Sequence, residues 1–594
     1  MKKVKFLALL LAAACMISTL SGCSKAPAKG RAHAPITMQA SFRNMSAFLD
    51  VLAETYPEIN LEVVPYSGKN FTAYAKAELA ANDMPDIYCT TYYTPGVDAV
   101  SDKLINLAGY AFTDHYAEGR LRDVTDSDGA IYALPTYYDC IGITYNKTLL
   151  EKHGWTLPTS LEELEALAVQ VKEAGCNLCL NEVQLPGYGF QYLCNILDTG
   201  YLNTPGGRAW QRSFLRGEAT LSGTPEMMEN LKLLERWRDI GMLNGDSDIR
   251  SDNDTRLKMA EGNTLFLLGS SNTFTKDETA DEFALMPYLS EDGTRNTFVL
   301  NVSRFVGLNK HLEEAGSEQK LEDALHVMEV LSTVEGMQAL NSIYADTSLL
   351  PLKDYKINPS GYYGSIEGLL NSGATAPLIY NGWMNVVVPV GEAMIRFTRG
   401  EAAVEDIVAA FDDNQHLLQD NSAIRYTTVT QKIDTDHCAQ LVGICFAKAA
   451  GADMALVSKN KWYKLDDQGD LNLEGVSGAL FPLPVTDEEI VSILPTGWRQ
   501  NIQTVTLTGA RIKALAETGY DRTGDGVHVY PYELVTPEGF EMEDNATYTV
   551  VICGVTRAIA EEGGLTDTGI LGLDAARAYF SQFEHLTEND IIWE

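Results

Sequence analysis

The sequence predicts an α/β protein built from several structural units, on three observations. The chain has 594 residues, which is enough for about three to five units. Hydrophobic residues make up 45% of it and charged residues 21%, a composition typical of folded globular proteins. From residue 36 to about 421, short β-rich runs alternate with longer amphipathic stretches. Because sheets covered by helices produce such alternation, the pattern predicts the α/β class.

The first elements illustrate this alternation. Residues 36–40 (ITMQA) and 61–65 (LEVVP) predict strands, and residues 46–54 predict a helix between them. Ser160 and Glu163 fit a capping box at the start of a later helix. The apolar face of that helix is predicted to consist of Leu161, Leu164, Leu167, Ala168 and Val171.

The charge balance disfavours one class of partner. The formal net charge is -36, from 45 basic and 81 acidic residues. A surface of this sign repels phosphate backbones, so we expect no nucleic-acid partner. The simplest consequence of the acidity is solubility, and it does not fix the charge of a ligand held in a cleft.

The N-terminal residues predict export and lipidation. Lys2, Lys3 and Lys5 precede an apolar run over 6–17, which is too short to span a bilayer and fits the core of an export signal. Residues 20–23 (LSGC) resemble the lipobox of bacterial lipoproteins, in which Cys23 would carry the lipid. An ordinary cleaved signal is the alternative. We therefore expect a leader over 1–23, a flexible tether over 24–35 and a membrane anchor through lipid.

The cysteines do not form a metal-binding pattern. Of ten cysteines, Cys15 and Cys23 belong to the leader, which leaves eight. Cys176 and Cys179 have the spacing of half a zinc site, but the sequence lacks a second such pair. Free buried thiols are favoured over disulfides, and the state of this pair stays open.

Six segments, in order, resemble family 1 extracellular solute-binding proteins of the maltose-binding type. The segments are MPDIY at 84–88, DGAIYALP at 128–135, YNKTLL at 145–150, the stretch 257–274 with MAEG at 259–262, MP at 286–287, and the helix 324–350 ending in LPL at 350–352. The resemblance implies a two-lobed clamp of the type II periplasmic-binding-protein class over residues 36–421. Such a clamp closes on a ligand and delivers it to the permease of an ABC transporter.

The resemblance also implies where the chain passes between the lobes. We expect crossings near residues 136–143 and 301–306. The expected first lobe comprises 36–137 and 306–352, and the expected second lobe comprises 141–300 and 355–413.

Residues 424–594 resemble a different family, the C-terminal domain of 5'-nucleotidases. The matching runs are GADMALV at 451–457, ILP at 493–495, VTLTGARI at 505–512 and YTVVIC at 548–553. The functional positions depart from that family: SKNKW at 458–462 replaces an Asn-Gly-Gly-Ile-Arg run, and PTGWRQN at 495–501 replaces Pro-Phe-Gly-Asn. The resemblance therefore implies a separate α+β domain more strongly than it implies nucleotide recognition.

A cleft that binds sugar needs flat rings for the pyranose faces and polar groups for the hydroxyls. Such residues stand near the expected cleft, and Trp383 lies where the family places a ligand-stacking ring. The other candidates are Tyr92, Tyr93, Tyr138, Asp139, Arg43, Asn272 and Asn385. Packing in the core is the alternative for Trp383, hinge packing for the tyrosines, and a surface charge for Arg43.

The sequence does not support catalysis. The Asp-x-His and Gly-Asn-His-Glu motifs of metallophosphatases are missing, as are a Gly-x-Ser-x-Gly elbow and a Walker loop. His437, beside two aspartates, is interpreted as part of a solvated helix start. We expect no metal, no cofactor and no enzymatic activity.

The alternative function is a surface lipoprotein that binds nucleosides or nucleotides, with residual nucleotidase chemistry. Trp498, Tyr530 and Tyr532 lie near the positions at which the second family stacks a base. A third interpretation treats residues 424–594 as a docking or spacer module only.

Overall fold

The fold is taken from a computed structural model. It describes residues 33–40, 45–66, 68, 70–181, 186–244, 257–269, 279–342, 348–358, 362–371, 374–418, 424–459, 462–463, 470–471, 475–495, 500–518, 520–521, 529–530, 532–554 and 564–594. Within these ranges, no helix combines the length and apolar character that crossing a bilayer requires. The predicted leader, with Cys23, lies outside the described residues.

The secondary structure alternates strands and helices. The strands are β1 Ile36–Ala40, β2 Leu61–Pro65, β3 Ile87–Thr90, β4 Leu134–Pro135, β5 Tyr138–Asn146, β6 Asn177–Leu180, β7 Thr264–Gly269, β8 Phe283–Met286, β9 Phe298–Val302, β10 Phe305–Leu308, β11 Thr375–Pro377, β12 Thr427–Val429, β13 Met454–Ser458, β14 Trp462–Tyr463, β15 Asp470–Leu471, β16 Pro484–Val485, β17 Asn501–Thr508, β18 Tyr520–Asp521, β19 Val529–Tyr530, β20 Tyr532–Val535, β21 Thr547–Cys553, β22 Thr566–Leu571 and β23 His585–Leu586. The α-helices with described bounds are α1 Ser46–Thr55, α2 Phe71–Ala81, α3 Glu118–Arg122, α4 Lys147–His153, α5 Leu161–Glu173, α6 Pro186–Leu197, α7 Pro205–Leu215, α8 Pro225–Ile240, α9 Glu318–Leu331, α10 Val334–Leu340, α11 Glu367–Asn371, α12 Val387–Thr398, α13 Val404–Asn414, α14 Thr435–Ala450, α15 Asp487–Ile493, α16 Gly509–Thr518 and α17 Gly572–Phe580.

The first lobe is built on the sheet β2-β1-β3-β10-β4. Strands β1 and β2 are parallel, whereas β10 returns from far along the chain and pairs antiparallel with β3 and β4. The buried carboxylate of Asp86, just before β3, accepts hydrogen bonds from the Thr37 amide at 2.8 Å and from His311 Nε2 at 2.7 Å. The predicted strands 36–40 and 61–65 are confirmed, and the predicted helix 46–54 is α1.

The second lobe is built on the sheet β11-β9-β5-β7-β6, with β8 also paired to β5. The chain passes from β4 to β5 at Thr136 and from β9 to β10 at Arg304. These two connections are bonded to each other, because the Thr136 amide donates to the Arg304 carbonyl at 2.9 Å and the Thr136 hydroxyl donates to it at 2.8 Å. The structure therefore has both crossings at the predicted places.

Helix α5 begins as predicted, with one difference. The Ser160 hydroxyl accepts a hydrogen bond from the Glu163 amide at 3.2 Å. The Glu163 carboxylate accepts from the amide of Thr159, at 2.7 Å, rather than from that of Ser160. The predicted apolar face is confirmed at its leucines and Val171, which are buried, while Ala168 is partly buried.

Residues 424–594 form a sheet of order β20-β13-β21-β17-β22 and a small sheet of order β16-β12-β23. The strands predicted from the runs at 451–457 and 548–553 are β13 and β21, and the resembling stretch 505–512 forms the end of β17 and the start of α16. Helix α14 packs on this sheet, and its start carries an Asp434 cap that accepts from the His437 amide at 2.9 Å. The predicted helix start at His437 is confirmed.

The C-terminal region packs on the first lobe. The buried Tyr66 hydroxyl donates to the Ser492 carbonyl at 2.8 Å, and the Tyr66 and Tyr74 rings stack at 4.3 Å. Phe481 joins the first lobe's core, with its ring 5.5 Å from that of Tyr74. Gly478, at φ +73°, permits this approach, because a Cβ there would lie 2.5 Å from Tyr74 Cε2.

Candidate ligand site between the lobes

The two crossings form the base of the boundary between the lobes. Tyr138 begins β5 opposite Val302 of β9, and Asp139 lies opposite Asn301. The Tyr138 ring is buried beneath the Arg120 guanidinium, whose Cζ is 5.5 Å from the ring centroid. Burial raises the pKa of the Asp139 carboxyl. Two of the predicted site residues therefore lie at the hinge.

The lobes touch in this structure. Arg120 of the first lobe donates from Nη1 to the Thr375 hydroxyl of the second at 2.8 Å. The Tyr92 ring packs against the backbone of Gly382. A Cβ added to this glycine would lie 2.1 Å from Tyr92 Cζ, so the close contact requires glycine. Tyr92 is thus a contact between the lobes, and its predicted role in binding a ligand stays a prediction.

Tyr93 lies on the first-lobe side of the boundary. Its ring is 6.1 Å from that of Phe305, and it is mostly buried. The hydroxyl finds no hydrogen-bond partner among the residues that the structure describes. Burial raises its pKa, and the nearby Asp126 carboxylate raises it further. The predicted role of Tyr93 in binding a ligand stays a prediction.

A guanidinium that the sequence analysis missed lies at the second crossing. Arg304 stacks over the Phe71 ring, with 5.1 Å between Cζ and the ring centroid. Burial lowers its pKa, and the Tyr137 and Cys89 side chains oppose that effect. A partly buried cation beside an aromatic ring is suited to hold a polar ligand in place.

The sequence analysis also missed an ion pair on the second lobe. Asp198, directly after α6, is fully buried, and its Oδ1 lies 3.5 Å from Nη1 of Arg208 on α7. The available signal was an acidic residue at the end of the apolar run FQYLCNIL at 190–197. This pattern predicts that the Asp198 carboxylate is buried, but it does not predict that Arg208 is its partner.

Trp383 lies in the core of the second lobe. It is 0% exposed, and its ring is 5.3 Å from that of Phe214 and 5.4 Å from that of Phe411. A ring packed in this way presents no free face, so the observed packing favours the core alternative. The role of Trp383 in stacking on a ligand stays a prediction.

Of the remaining predicted site residues, Asn385 alone lies within the described ranges. Asn385 is exposed and donates to the Leu417 carbonyl of its own lobe at 3.1 Å. Arg43 and Asn272 lie outside the described residues.

Of the three rings predicted to stack on a base in the C-terminal region, Tyr532 alone has a described side chain. Tyr532 is 3% exposed and belongs to a hydrophobic core, with Met454 and Leu456. Trp498 lies outside the described residues, as does the side chain of Tyr530. In the described ranges, the one group of three possible metal ligands is Asp434, His437 and Glu588, at the start of α14.

The cysteines after the leader are free thiols. Seven of them are buried, and Cys176 is partly exposed. Cys176 and Cys179 are not joined, and the Cys176 sulfur is 4.0 Å from His153 Nε2. Burial raises the pKa of the Cys179 thiol to about 12, which favours an unreactive, protonated sulfur.

A protein-family model matches a part of the chain that includes segments of both lobes. The model of the bacterial extracellular solute-binding protein family matches residues 39–247. Comparison with curated protein sequences gives no match.

Solved structures of solute-binding proteins share the fold. A family 1 extracellular solute-binding protein from Bifidobacterium longum subsp. infantis has a TM-score of 0.51 at 16% identity, and the match covers 64% of this chain and 98% of that one. Apo RafE from Streptococcus pneumoniae has a TM-score of 0.51 at 16% identity, covering 65% and 98%. The bacterial solute receptor AcbH has a TM-score of 0.51 at 15% identity, covering 65% and 97%. These likenesses show a mixed α/β fold of the periplasmic-binding type.

Proposed function

We propose that the protein is a lipid-anchored, extracytoplasmic solute-binding protein that captures a carbohydrate, in particular an oligosaccharide, for an ABC transporter permease. The observation that carries this proposal is the double crossing between two sheets, where rings and charged groups of both lobes meet. The family match over 39–247 supports it. So does the fold shared with AcbH, a receptor described as having an exclusive preference for β-D-galactopyranose.

The mechanism is closure of the two lobes on the ligand. A ligand held between Tyr93 and Arg304 on one side and the second lobe on the other favours the state in which Arg120 reaches Thr375. The shift requires that the ligand bind the closed state more tightly than the open one. Micromolar affinity needs about -8 kcal/mol, which stacked rings and hydrogen-bonded hydroxyls can supply.

The anchor and the domain organisation belong to the same proposal. Cys23 would hold the protein at the membrane, with 24–35 as tether, 36–421 as the clamp and 424–594 as a domain related in fold to the C-terminal domain of 5'-nucleotidases. If so, Cys23→Ser protein leaves the membrane fraction, whereas the wild type stays in it. Retention of the variant in that fraction argues against the lipid anchor.

Calorimetry on the purified protein tests the ligand class. The panel contains D-galactose, D-glucose, their oligosaccharides, nucleosides and nucleoside monophosphates. We expect heat from at least one sugar and a smaller radius of gyration in its presence, since closure compacts the clamp. Heat from nucleosides alone would instead favour the nucleoside-binding alternative.

A further inference from the structure

The second lobe buries a carboxylate that its own structure does not satisfy. Asp198 starts a π-helical turn, Asp198–Leu202, which is a conformation frequent at functional sites. Neither of its oxygens accepts a hydrogen bond from a described residue, and Nη1 of Arg208 donates none, although the two groups are 3.5 Å apart. An unsatisfied buried polar group costs about 1–3 kcal/mol, and a charged one costs more. Such groups therefore indicate a place where water or a ligand completes the hydrogen bonds.

Helix α7, which carries Arg208, approaches the first lobe: a Cβ on Gly96 would lie 3.8 Å from Cδ of Arg212, one turn after Arg208. Burial raises the pKa of Asp198 to about 7; Arg208 opposes the shift, and the Asp123 carboxylate of the first lobe adds to it. Arg208 in turn lowers the pKa of Asp123, which burial raises. Burial raises the pKa of the Tyr92 hydroxyl; Arg208 lowers that pKa and Asp198 raises it further. Tyr92 itself packs on the Gly382 backbone of the second lobe, so it lies at the boundary between the lobes, as α7 does.

We propose that Asp198 and Arg208 are the polar anchor of the cleft for a neutral, hydroxyl-rich ligand, and that Tyr92 and Asp123 complete the site when the lobes close. This inference rests on the proposed function and names the residues that carry it. Nothing in the sequence analysis pointed to this pair.

The chemistry of the pair selects the ligand class. A guanidinium donates two parallel N–H groups, and a carboxylate accepts two O–H groups. Neighbouring hydroxyls on a sugar ring both donate and accept, so they match the two partners at once. Asp198 and Arg208 carry no net charge together, and a ligand without net charge therefore fits. An anionic ligand would face the carboxylates of Asp198 and Asp123.

The binding test uses Asp198→Asn and Arg208→Gln in the purified protein. By calorimetry with the neutral sugars of the panel, each variant should bind about 30-fold more weakly, because each loses a charge-assisted hydrogen bond. The matched control is Arg216→Gln, since Arg216 lies just after α7 in an exposed pair with Glu218 at 2.8 Å. We expect its affinity to stay within about twofold of the wild type.

A second measurement needs no ligand. The double variant Asp198→Asn/Arg208→Gln removes both members of the buried ion pair and leaves neither charge alone, so its unfolding temperature should equal or exceed that of the wild type. A fall of several degrees would mean that the pair serves the fold, which overturns the inference.

The outcomes separate the two proposals. Sugar binding by the wild type with unchanged affinity in both variants overturns the anchor and leaves the proposed function standing. Binding of a charged compound but no neutral sugar overturns the proposed carbohydrate function and the neutral ligand class together. Loss of sugar affinity in both single variants, with a double variant as stable as the wild type, supports the anchor.

Discussion

At the residue scale, Trp383 shows how a sequence position and a structural environment can diverge. The residue was predicted at the cleft because the family has a stacking ring there. The structure instead surrounds it with Phe214 and Phe411 in the second lobe's core. Since a tryptophan is apolar over most of its surface, the sequence around it does not distinguish a core position from a ligand platform.

Substitution of Trp383 by Phe distinguishes the two roles. We expect the free energy of unfolding to fall by about 1–3 kcal/mol, because a smaller ring leaves a cavity. The affinity for the sugar found in the panel should stay within about twofold, because the buried ring makes no ligand contact. Urea unfolding and calorimetry measure the two quantities.

Trp237→Phe is the matched control for this change. Trp237 is also fully buried in the second lobe, beside Tyr288 at 5.8 Å between centroids. Both variants should lose stability alike. If the Trp383 variant binds sugar more than tenfold more weakly than the Trp237 variant, the platform role is correct after all.

The sequence predicted part of the candidate site. Tyr92, Tyr93 and Asp139 were predicted because they follow or begin strands, and the structure has all three near the boundary between the lobes, while their role in binding stays a prediction. Asp198 and Arg208 were not predicted, because the pair joins two different helical segments and the first lobe approaches it from elsewhere in the chain. A contact between residues that distant along the chain leaves no periodic signal in the sequence.

At the element scale, local patterns were sufficient for strands and helix starts. The runs at 36–40 and 61–65 formed β1 and β2 because β-branched and apolar residues fill a buried sheet. The position of β10 between β3 and β4 did not follow from its own residues. It depends on the return of the chain through the second lobe, which the resemblance to a two-lobed family implied.

Two helix caps differ in burial and should differ in their contribution. Asn146, fully buried before α4, accepts from the Leu149 amide at 2.8 Å and donates to Asp281 at 2.6 Å. Asn146→Ala should lower the free energy of unfolding by about 2–3 kcal/mol, since it removes a cap and leaves buried groups unpaired. Ser160→Ala, at the more exposed start of α5, should cost about 1 kcal/mol. Urea unfolding of both variants checks the order, and equal losses would show that burial does not strengthen this cap.

At the scale of the whole molecule, residues 424–594 were predicted as a separate domain, and they pack closely on the first lobe. The contact includes Tyr66 with Ser492 and an ion pair between Lys432 and Asp83 at 2.7 Å. The sequence did not reveal it, because buried aromatic residues in a first-lobe helix and its flanking loop are explained equally well by the lobe's own core. Because these contacts join residues 424–594 to the first lobe, closure of the lobes on a ligand would move the two together.

Glu78, on α2 beside this contact, makes the stability of the molecule depend on pH. Its side chain is 4% exposed, and burial raises its pKa to about 8, against the lowering effects of Tyr74 and Lys432. Below the unfolded value of 4.5, both states carry the proton and stability is highest. As the pH rises toward 8, only the unfolded state loses the proton, so the contribution of Glu78 is progressively lost.

Glu78→Gln should therefore remove this loss. We expect the variant and the wild type to unfold with similar free energies near pH 4.5, and the variant to become the more stable by ~4 kcal/mol near pH 9. Urea unfolding at pH 5, 7 and 9 measures the difference. Glu62→Gln, at an exposed position on β2 of the same lobe, is the control and should give the same difference at each pH. If the free energies of unfolding of Glu78→Gln and wild type change with pH in the same way, Glu78 has the same pKa in the folded and unfolded protein. In that case its burial does not raise its pKa.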